Sequence, residues 1–338
     1  MDRVRVCVDA VGGDEPAEVV LSGIEAALEA DPNLEVLVAG PEDVVSGFCE
    51  AHERAEALIA PDVITMEDDP ITAVMKRRKS SIVLGCRAVK KGQAAGFFSA
   101  GSTGAITAAG TAYVTPFKVL QDGKRSAVRP CLTNALPNRR GGLTVLCDMG
   151  ANPDVEPMDV VRFAQMGAAY ASCVLGIEHP RVGLLSNGTE EHKGSVFTQA
   201  CYPLMEQHVA GFSGNCEGTD LTSGDVDVVV CDGFAGNIAL KSIEGAAKFM
   251  MEELKAGLMS SIKGKIAAML MKPMLRNLKH TLSGDAKGGA VLLGLQGVVM
   301  IGHGATSAEA VKNGTLACAA AIRQGLVASV ASSMGLEA

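Results

Sequence analysis

Six apolar runs of this chain each end in a turn rich in Gly, Asp, Ser, Thr or Asn. One of these turns, Ser99-Ala-Gly-Ser-Thr-Gly104, follows the run Ala94–Phe98 and leads into a segment of helical composition. Glycine lets backbone N–H groups approach an anion closely, and the N-terminus of the following helix adds a favourable dipole. The turn therefore predicts an anion-binding site; the alternative is that its glycines only permit a tight strand–helix connection. The other five turns begin at Asp9, Gly40, Asp148, Ser186 and Asp232.

The order of strand-like and helix-like segments predicts how these turns come together. Segments of helical composition alternate with the apolar runs, and the clearest are Ala17–Ala30, Asp43–Ala57, Ser80–Lys91 and Thr103–Val114. This alternation predicts an α/β protein with a Rossmann-like open parallel sheet and helices on both faces. Ligands of such sheets bind in the crevice outside the carboxyl ends of the strands. We therefore expect one wide crevice for an anionic ligand, and hence an enzyme.

Composition narrows the class of protein. The 338 residues carry a formal charge of −8 and contain no Trp, which argues against nucleic acid as a partner. No linker of low complexity interrupts the chain, so we predict a single large domain over residues 1–338, with a soft boundary between residues 115 and 142. The chain starts directly with a strand-like run and has no apolar stretch long enough to span a membrane. These features favour a cytoplasmic protein.

The ten cysteines do not indicate a metal site. No two of them form a C-x-x-C pair, and Cys7, Cys147 and Cys231 lie inside apolar runs. Free cysteine in such a run behaves as a small buried hydrophobic residue. We therefore expect reduced thiols and no metal or other cofactor.

One segment, residues 245–282, differs from the rest of the chain. Its core, from position 248 to position 279, contains seven Lys or Arg against two Glu, a net charge of +5. Apolar residues repeat there every fourth position, which predicts a shared helix face, and Pro273 is expected to end or kink the helix. The projecting helix either packs on the body or on a second subunit, or rests on an anionic membrane. The repeating residues are Leu254, Leu258, Ile262, Ile266 and Leu270.

Five ordered blocks resemble one known family. They are Val8-Asp-Ala-Val-Gly-Gly-Asp14, Ser99-Ala-Gly-Ser-Thr-Gly-Ala105, Glu190-Glu-His-Lys-Gly194, the block from Gly224 to Lys241, and Gly288-Gly-Ala-Val-Leu-Leu-Gly294. Together they resemble the phosphate acyltransferase (PlsX) family over nearly the whole chain. The resemblance implies transfer of a fatty acyl group from acyl carrier protein to inorganic phosphate, without a metal or nucleotide. It further implies a homodimer, peripheral membrane contact, and a fold similar to isocitrate and isopropylmalate dehydrogenases and to phosphotransacetylase.

The residue types suggest roles for particular positions in that reaction. Lys193 would neutralise phosphate, and His192 would donate to the oxyanion or protonate the thiolate; the alternative is a solvated charged loop. Lys241 would reach the crevice or only pair with the nearby Asp232, and Asp14 would act as an N-cap. The predicted catalytic residues are His192, Lys193, Asp232, Asn237, Lys241 and His303. The predicted substrate-binding residues are Asp9, Gly12, Gly13, Ser99, Gly101, Ser102, Thr103, Gly104, Gly233 and Gly236.

Acyl carrier protein is acidic, so a basic docking surface is expected despite the negative total charge. The predicted docking residues are Lys76, Arg77, Arg78, Lys263 and Lys265. The sequence departs from the family pattern at Thr219, where Arg is common, and at Met75 and Lys79 in the basic run.

Three alternatives remain at this point. A nicotinamide-dependent dehydrogenase of the isopropylmalate type lacks support, because no G-x-G-x-x-G follows the first strand. A phosphotransacetylase would use acetyl-CoA as the donor. A non-catalytic membrane scaffold would have no use for the polar turns.

Overall fold

The computed structural model describes residues 2–121, 123–282, 288–304 and 306–336. Within them, eleven strands form one large sheet in the order β10-β9-β11-β8-β7-β12-β13-β4-β1-β2-β3, and β5 and β6 form a separate hairpin. The strands are β1 Val4–Asp9, β2 Leu34–Gly40, β3 Ala55–Ile59, β4 Gly96–Ser99, β5 Lys118–Gln121, β6 Lys124–Ala127, β7 Cys131–Pro137, β8 Leu143–Cys147, β9 Val182–Leu185, β10 Phe212–Cys216, β11 Val228–Val230, β12 Ala290–Leu293 and β13 Val298–Ile301.

Helices cover both faces of the sheet, as predicted. The helices are α1 Ala17–Ala30, α2 Glu42–Ala51, α3 Pro70–Lys76, α4 Ser81–Lys90, α5 Thr103–Ala109, α6 Pro157–Leu175, α7 Val196–His208, α8 Gly233–Met259, α9 Ile262–Leu282, α10 Ala308–Arg323 and α11 Leu326–Ser333. A π-helical turn, Gly110–Val114, extends α5, and a 3-10 turn spans Gly218–Leu221.

The central strands are apolar throughout because both of their faces are buried. In β1, Val6 and Val8 belong to the core on the α1 and α10 side, and Cys7 between them belongs to the core on the α4 and α5 side. Successive side chains of a strand point to opposite faces, so a strand covered on both sides needs a continuous apolar run. The runs that predicted strands therefore report burial as well as secondary structure.

The sheet is not parallel throughout, which corrects the prediction. Strands β7 and β12 are antiparallel to their neighbours, so the parallel set β3-β2-β1-β4-β13 runs opposite to the parallel set β8-β11-β9-β10. The register aligns Cys147 at the end of β8 with Thr133, Thr133 with Val291, and Val291 with Met300 near the end of β13. The carboxyl ends of the two sets therefore meet from opposite directions at the middle of the sheet.

Three predicted segments differ from the observed elements. The helix predicted over Asp43–Ala57 ends at Ala51, because the chain turns at residues 52–54 and enters the edge strand β3. The helix predicted over Thr103–Val114 is α-helical only to Ala109 and continues as the π-helical turn. The chain breaks the predicted long basic helix at residues 260–261, so the apolar residues spaced by four are divided between α8 and α9.

The segment from residue 245 to residue 275, in α8 and α9, is largely exposed. No residue from 245 to 275 is buried, and Ile262 and Leu270 are 80% and 77% exposed. Pro273 lies inside α9 and so does not end the helix, and a kink at this residue stays a prediction. Among the described helices, none is by itself long and apolar enough to cross a membrane; α10 and α11, bent by 57° at their junction, meet that criterion only as a pair, by length and composition.

Candidate active site

A cavity of about 1080 Å³ lies where the carboxyl ends of the two parallel sets meet. Its walls include α5 and α8, and β7 forms part of its floor. The loops after β8 and β13 also line it, so residues far apart in the chain share one site. Apolar side chains dominate the lining, and the larger ones are Ile71, Val128, Leu132, Leu136, Met149, Leu240, Ile243 and Ile301.

Five of the residues predicted from the sequence line this cavity. Thr103 and Gly104 are exposed at the start of α5, and His303 is exposed just after β13. Asn237 and Lys241 lie one turn apart on α8. Lys241 pairs with Glu244, with 2.9 Å between its Nζ and the carboxylate Oε2, and not with Asp232. The cavity thus combines an apolar wall with amide, hydroxyl, imidazole and ammonium groups.

The Asp148 carboxylate fixes the wall between β7 and α8. Its Oδ1 accepts the N–H groups of Leu132, Gly150 and Ala151 at 2.9–3.2 Å, and its Oδ2 accepts the backbone N–H and the Nδ2 of Asn152, both at 2.8 Å. Burial raises the pKa of this carboxyl, although these hydrogen bonds lower it. With five donors the carboxylate has its acceptor positions filled, so it serves as a brace rather than as a ligand for substrate.

Gly233 and Gly236 allow α8 to contact the brace, which differs from the substrate-binding role predicted for them. A Cβ on Gly236 would lie 1.8 Å from the Asp148 carbonyl oxygen, and one on Gly233 would lie 2.7 Å from the Asn152 carbonyl oxygen. Both glycines are buried and neither lines the cavity. Asp232 is the N-cap of α8, and its Oδ1 accepts the N–H of Ala235 at 2.7 Å. These residues position Asn237 and Lys241.

The turn after β1 and the start of the turn after β4 brace each other. Ser99 Oγ donates to Asp9 Oδ2 at 2.7 Å and accepts the N–H of Gly101 at 3.0 Å. Burial raises the pKa of the Asp9 carboxyl, although the Ser99 hydrogen bond lowers it. A Cβ on Gly12 would lie 2.0 Å from Asp9 Oδ2. The four residues form a close internal contact and do not line the cavity.

Three further residues of these turns have local structural contacts. Ser102 is the N-cap of α5 and accepts the N–H of Ala105 at 3.4 Å. A Cβ on Gly13 would lie 3.2 Å from the Gly304 carbonyl oxygen, which accepts the Asp14 N–H at 3.0 Å. Since Pro16 is the N-cap of α1, the N-cap prediction for Asp14 is wrong. The turn after β1 therefore supports the loop that carries His303.

His192 and Lys193 lie outside the cavity lining. They belong to the loop between β9 and α7, where Gln199 Nε2 donates to the His192 carbonyl oxygen at 2.9 Å. His192 is exposed and Lys193 is half-buried. Their assigned roles stay predictions.

The predicted docking residues differ in their surroundings. Lys76, Arg78, Lys263 and Lys265 are exposed. Arg77 is instead held by the body, since it donates to the Val63 carbonyl oxygen and pairs with Asp68 at 2.8 Å. The guanidinium group of Arg77 is thus already bound within the protein, which argues against a docking role for this arginine.

Sequence reasoning missed Arg129, which lines the cavity between β6 and β7. Its Nε lies 3.2 Å from Oδ2 of Asp159, a residue of the capping box that starts α6. Neither residue belongs to the polar turns from which the site was predicted, so no sequence signal joined them. Thr219, the departure from the family pattern, is exposed in the 3-10 turn beside Thr222, which lines the cavity.

The described residues include neither a group suited to hold a metal ion nor a thiol placed as a nucleophile in the cavity lining. Among the described residues, no group of three or more His, Cys, Asp or Glu side chains could hold a metal ion. All ten cysteines are free and eight are buried. Burial raises the pKa of the Cys201 thiol to about 12 and that of Cys147 well above its ordinary value, which leaves these sulfurs protonated.

Known proteins resemble the chain over most of its length. It matches the family described as "Fatty acid synthesis protein" over residues 4–329. A phosphate acyltransferase from Levilactobacillus brevis is 42% identical over 315 residues, which cover 92% of this chain and 89% of that protein. The chain belongs to the phosphate acyltransferase family. A second phosphate acyltransferase, from Desulforudis audaxviator, is 39% identical and covers 98% of this chain and 96% of its own. The resemblance read from the five sequence blocks is thereby confirmed.

Solved structures show that this phosphate acyltransferase shares its fold with more distant proteins. A branched-chain phosphotransacylase from Enterococcus faecalis matches with a TM-score of 0.59 at 17% identity and covers 95% of this chain and 98% of its own. The EutD phosphotransacetylase from Staphylococcus aureus matches with a TM-score of 0.57 at 18% identity and covers 94% of each chain. At these identities the likeness concerns the fold alone. The comparison with isocitrate and isopropylmalate dehydrogenases stays a prediction.

Proposed function

We propose that this protein transfers a fatty acyl group from acyl-acyl carrier protein to inorganic phosphate, forming an acyl phosphate for phospholipid synthesis. Membership of the phosphate acyltransferase family supports acyl transfer to phosphate. The observation that carries the proposal is the cavity, since it joins a long apolar wall to several cationic and amide groups. An apolar wall suits an acyl chain, and the polar groups suit the charged phosphate and the polarised thioester carbonyl.

The reaction demands little acid–base chemistry from the protein. A phosphate oxygen attacks the thioester carbonyl carbon, a tetrahedral oxyanion forms, and the C–S bond then breaks to release the carrier's thiolate. Phosphate is already a nucleophile near neutral pH, and a thiol with a pKa of about 8.5 is a good leaving group. The protein must therefore hold the two substrates together and stabilise the oxyanion. Positioning can supply about 7–11 kcal/mol of the barrier, and one oxyanion donor about 3–4 kcal/mol.

The cavity offers a group for each remaining need. The side-chain amide of Asn237 can donate to the oxyanion, and a protonated imidazole at His303 can donate its proton to the departing thiolate. Thr103 and Gly104 present a hydroxyl and backbone N–H groups at the start of α5. No metal or nucleotide enters this scheme.

We propose acyl carrier protein as the acyl donor, and it would dock on exposed cations near the cavity. Residues 69–71 line the cavity at the start of α3, and Lys76 and Arg78 follow at its far end. An acidic carrier that docks on these cations would stand beside the cavity. Lys263 and Lys265 on α9 form the second candidate surface. We keep Lys76 and Arg78 as the first surface to test and leave Arg77 out.

A homodimer and a peripheral membrane contact complete the proposal, with the protein in the cytoplasm or on the inner face of the membrane. Support comes from the exposed apolar side chains of α8 and α9, since soluble monomers rarely expose so many together. The second subunit and the membrane could both contact α8 and α9, if the subunits pack on one part of these helices and lipid contacts another part. Among the described side chains from residue 245 to residue 275, the most exposed large apolar ones are Ile262, Leu270, Met269 and Phe249.

A thiol-release assay with palmitoyl-acyl carrier protein, with and without phosphate, tests the function. We expect phosphate-dependent release of the thiol together with acyl phosphate. Phosphate-dependent release from acetyl-CoA, with none from palmitoyl-acyl carrier protein, would indicate a phosphotransacetylase instead. Vesicle binding without any thiol release would indicate a scaffold, and reduction of a nicotinamide cofactor by a hydroxy acid would indicate a dehydrogenase.

A further inference from the structure

Arg129 is fixed to the cavity wall by its backbone neighbours. Val128 and Pro130 on either side of it are buried, whereas half of the Arg129 side chain is exposed. The Pro130 carbonyl oxygen accepts Asn152 Nδ2 at 2.7 Å, which ties this segment to the Asp148 brace. The guanidinium therefore stands on a rigid part of the cavity, as a binding group requires.

The Arg129 charge is only partly compensated. Its one close acidic neighbour among the described residues is Asp159, which contacts the Nε atom at 3.2 Å. Asp159 also contacts NH1 of Arg162 at 3.3 Å, so one carboxylate is shared by two guanidinium groups. Within the described part of the chain, the two terminal nitrogens of Arg129 donate no hydrogen bond to protein. The two terminal nitrogens of the Arg129 guanidinium are therefore available to bind the oxygens of an anion such as phosphate.

Lys241, which lines the cavity from α8, is less suited than Arg129 to bind an anion. Lys241 Nζ lies 2.9 Å from Glu244 Oε2, and both residues line the cavity. A phosphate approaching Lys241 would also meet that carboxylate. Arg129, by contrast, has its acidic partner on the Nε side, which orients the guanidinium without occupying its terminal nitrogens.

We infer that Arg129 binds the attacking inorganic phosphate, through a two-pronged contact of its terminal nitrogens with two phosphate oxygens. Asp159 holds the guanidinium in that orientation. The inference rests on the proposed function, because it names the group that holds one substrate of that reaction. Arginine forms such paired, charge-assisted hydrogen bonds with phosphate, whereas lysine acts as a point charge.

The same chemistry could recognise the phosphodiester of a pantetheine-bearing donor. The Arg129 contact is assigned to inorganic phosphate because the free dianion carries more charge than a diester. Kinetic constants for the two substrates separate these sources, since loss of a contact raises the KM of the substrate that made it.

The experiment compares Arg129→Gln and Arg129→Lys with the wild type. We expect Arg129→Gln to raise the KM for phosphate about tenfold to one-hundredfold, because a charge-assisted contact is lost. Arg129→Lys should give a smaller rise, since the charge remains but the fork is lost. The KM for the acyl donor should stay within about twofold of the wild type. Arg125→Gln is the matched control, since Arg125 is an exposed arginine of β6 outside the cavity lining.

Calorimetric titration with inorganic phosphate supplies a readout that needs no turnover. We expect binding to the wild type and to Arg125→Gln, and a matching loss of affinity for Arg129→Gln. Unchanged phosphate affinity and phosphate KM in a folded Arg129→Gln protein would overturn the inference, and so would a rise in the donor KM alone. If the wild type forms no acyl phosphate, the proposed function fails, and the titration still decides whether Arg129 binds phosphate.

Discussion

The contact between α8 and the Asp148 brace gives the sharpest test of how the site is built. A Cβ on Gly236 would lie 1.8 Å from the Asp148 carbonyl oxygen, and real Cβ atoms stay at least 3.0 Å from their neighbours. Gly236→Ala must therefore move the first turn of α8 away from the brace by at least about 1.2 Å, because backbone lies on both sides of the contact.

This displacement acts on both stability and catalysis. The N–H of Gly233 donates to the Asn152 carbonyl oxygen at 2.8 Å, and that hydrogen bond is lost when the helix withdraws. Overpacking costs about 1–3 kcal/mol and the lost hydrogen bond about 1 kcal/mol. Asn237, the next residue, shifts within the cavity by a similar distance. A misplacement of about 1 Å can lower the rate about one-hundredfold.

The assay measures kcat for phosphate-dependent thiol release alongside the free energy of unfolding. Gly245→Ala is the matched control, since Gly245 lies on the same helix and a Cβ there would have nothing within 4 Å. We expect that variant to keep wild-type activity and to gain up to about 1 kcal/mol from helix propensity. Wild-type kcat in Gly236→Ala would refute the reasoning, because it would mean that the first turn of α8 does not position the reacting groups.

Three further predictions address the Asp148 brace, the half-buried ion pair between Asp31 and Arg323, and the exposed segment of α8 and α9. Asp148→Asn turns an amide NH₂ toward the two donors of Asn152 and should lower the free energy of unfolding by about 2–6 kcal/mol, measured by denaturant titration. Although burial raises it, hydrogen bonds from Arg323 and Asn33 lower the pKa of Asp31 overall. Asp31→Asn should therefore lower stability by about 1.5–3 kcal/mol at pH 7, and melting curves should converge with the wild type as the pH falls below about 4 and through the folded pKa. Ile262→Glu should change the free energy of unfolding by less than about 0.5 kcal/mol, because Ile262 is exposed, and should weaken dimerisation or vesicle sedimentation at least about tenfold.

Each of these predictions has a control or a contrary outcome. Asp154→Asn, at an exposed position near the brace, should leave stability unchanged. A difference between Asp31→Asn and the wild type that stays constant from pH 7 to pH 3 would contradict the role of the Asp31 charge. Unchanged association and sedimentation in Ile262→Glu would remove this position from both interfaces. Lost sedimentation with intact dimers would favour lipid.

Several elements could be read from the sequence because their signals are local. The helix predicted over Ala17–Ala30 has the observed bounds of α1. The missed strand β3 is a half-buried edge strand without a continuous apolar run, so its composition did not separate it from the preceding helix. The break between α8 and α9 was missed because the spacing of four continues across residues 260–261.

The residues of the candidate site, too, could be predicted only where the signal is local. Thr103, Gly104, Asn237, Lys241 and His303 follow strands, and all five line the cavity, as the strand-end rule expects, while their roles stay predictions. The rule could not tell a glycine that faces a ligand from one that lets a helix contact a turn. Gly233 and Gly236 are of the second kind, which only the distance to the Asp148 and Asn152 backbone reveals.

The sequence by itself determined the alternating α/β architecture, the buried strands and the family, since apolar runs, turn residues and ordered blocks are properties of neighbouring positions. The tertiary structure alone decided that β7 and β12 run antiparallel between two opposed parallel sets, and therefore that their carboxyl ends share one cavity. It also brought Arg129 beside Asp159. Pairing between distant strands depends on how separate apolar faces are buried together, and no local pattern encodes that choice.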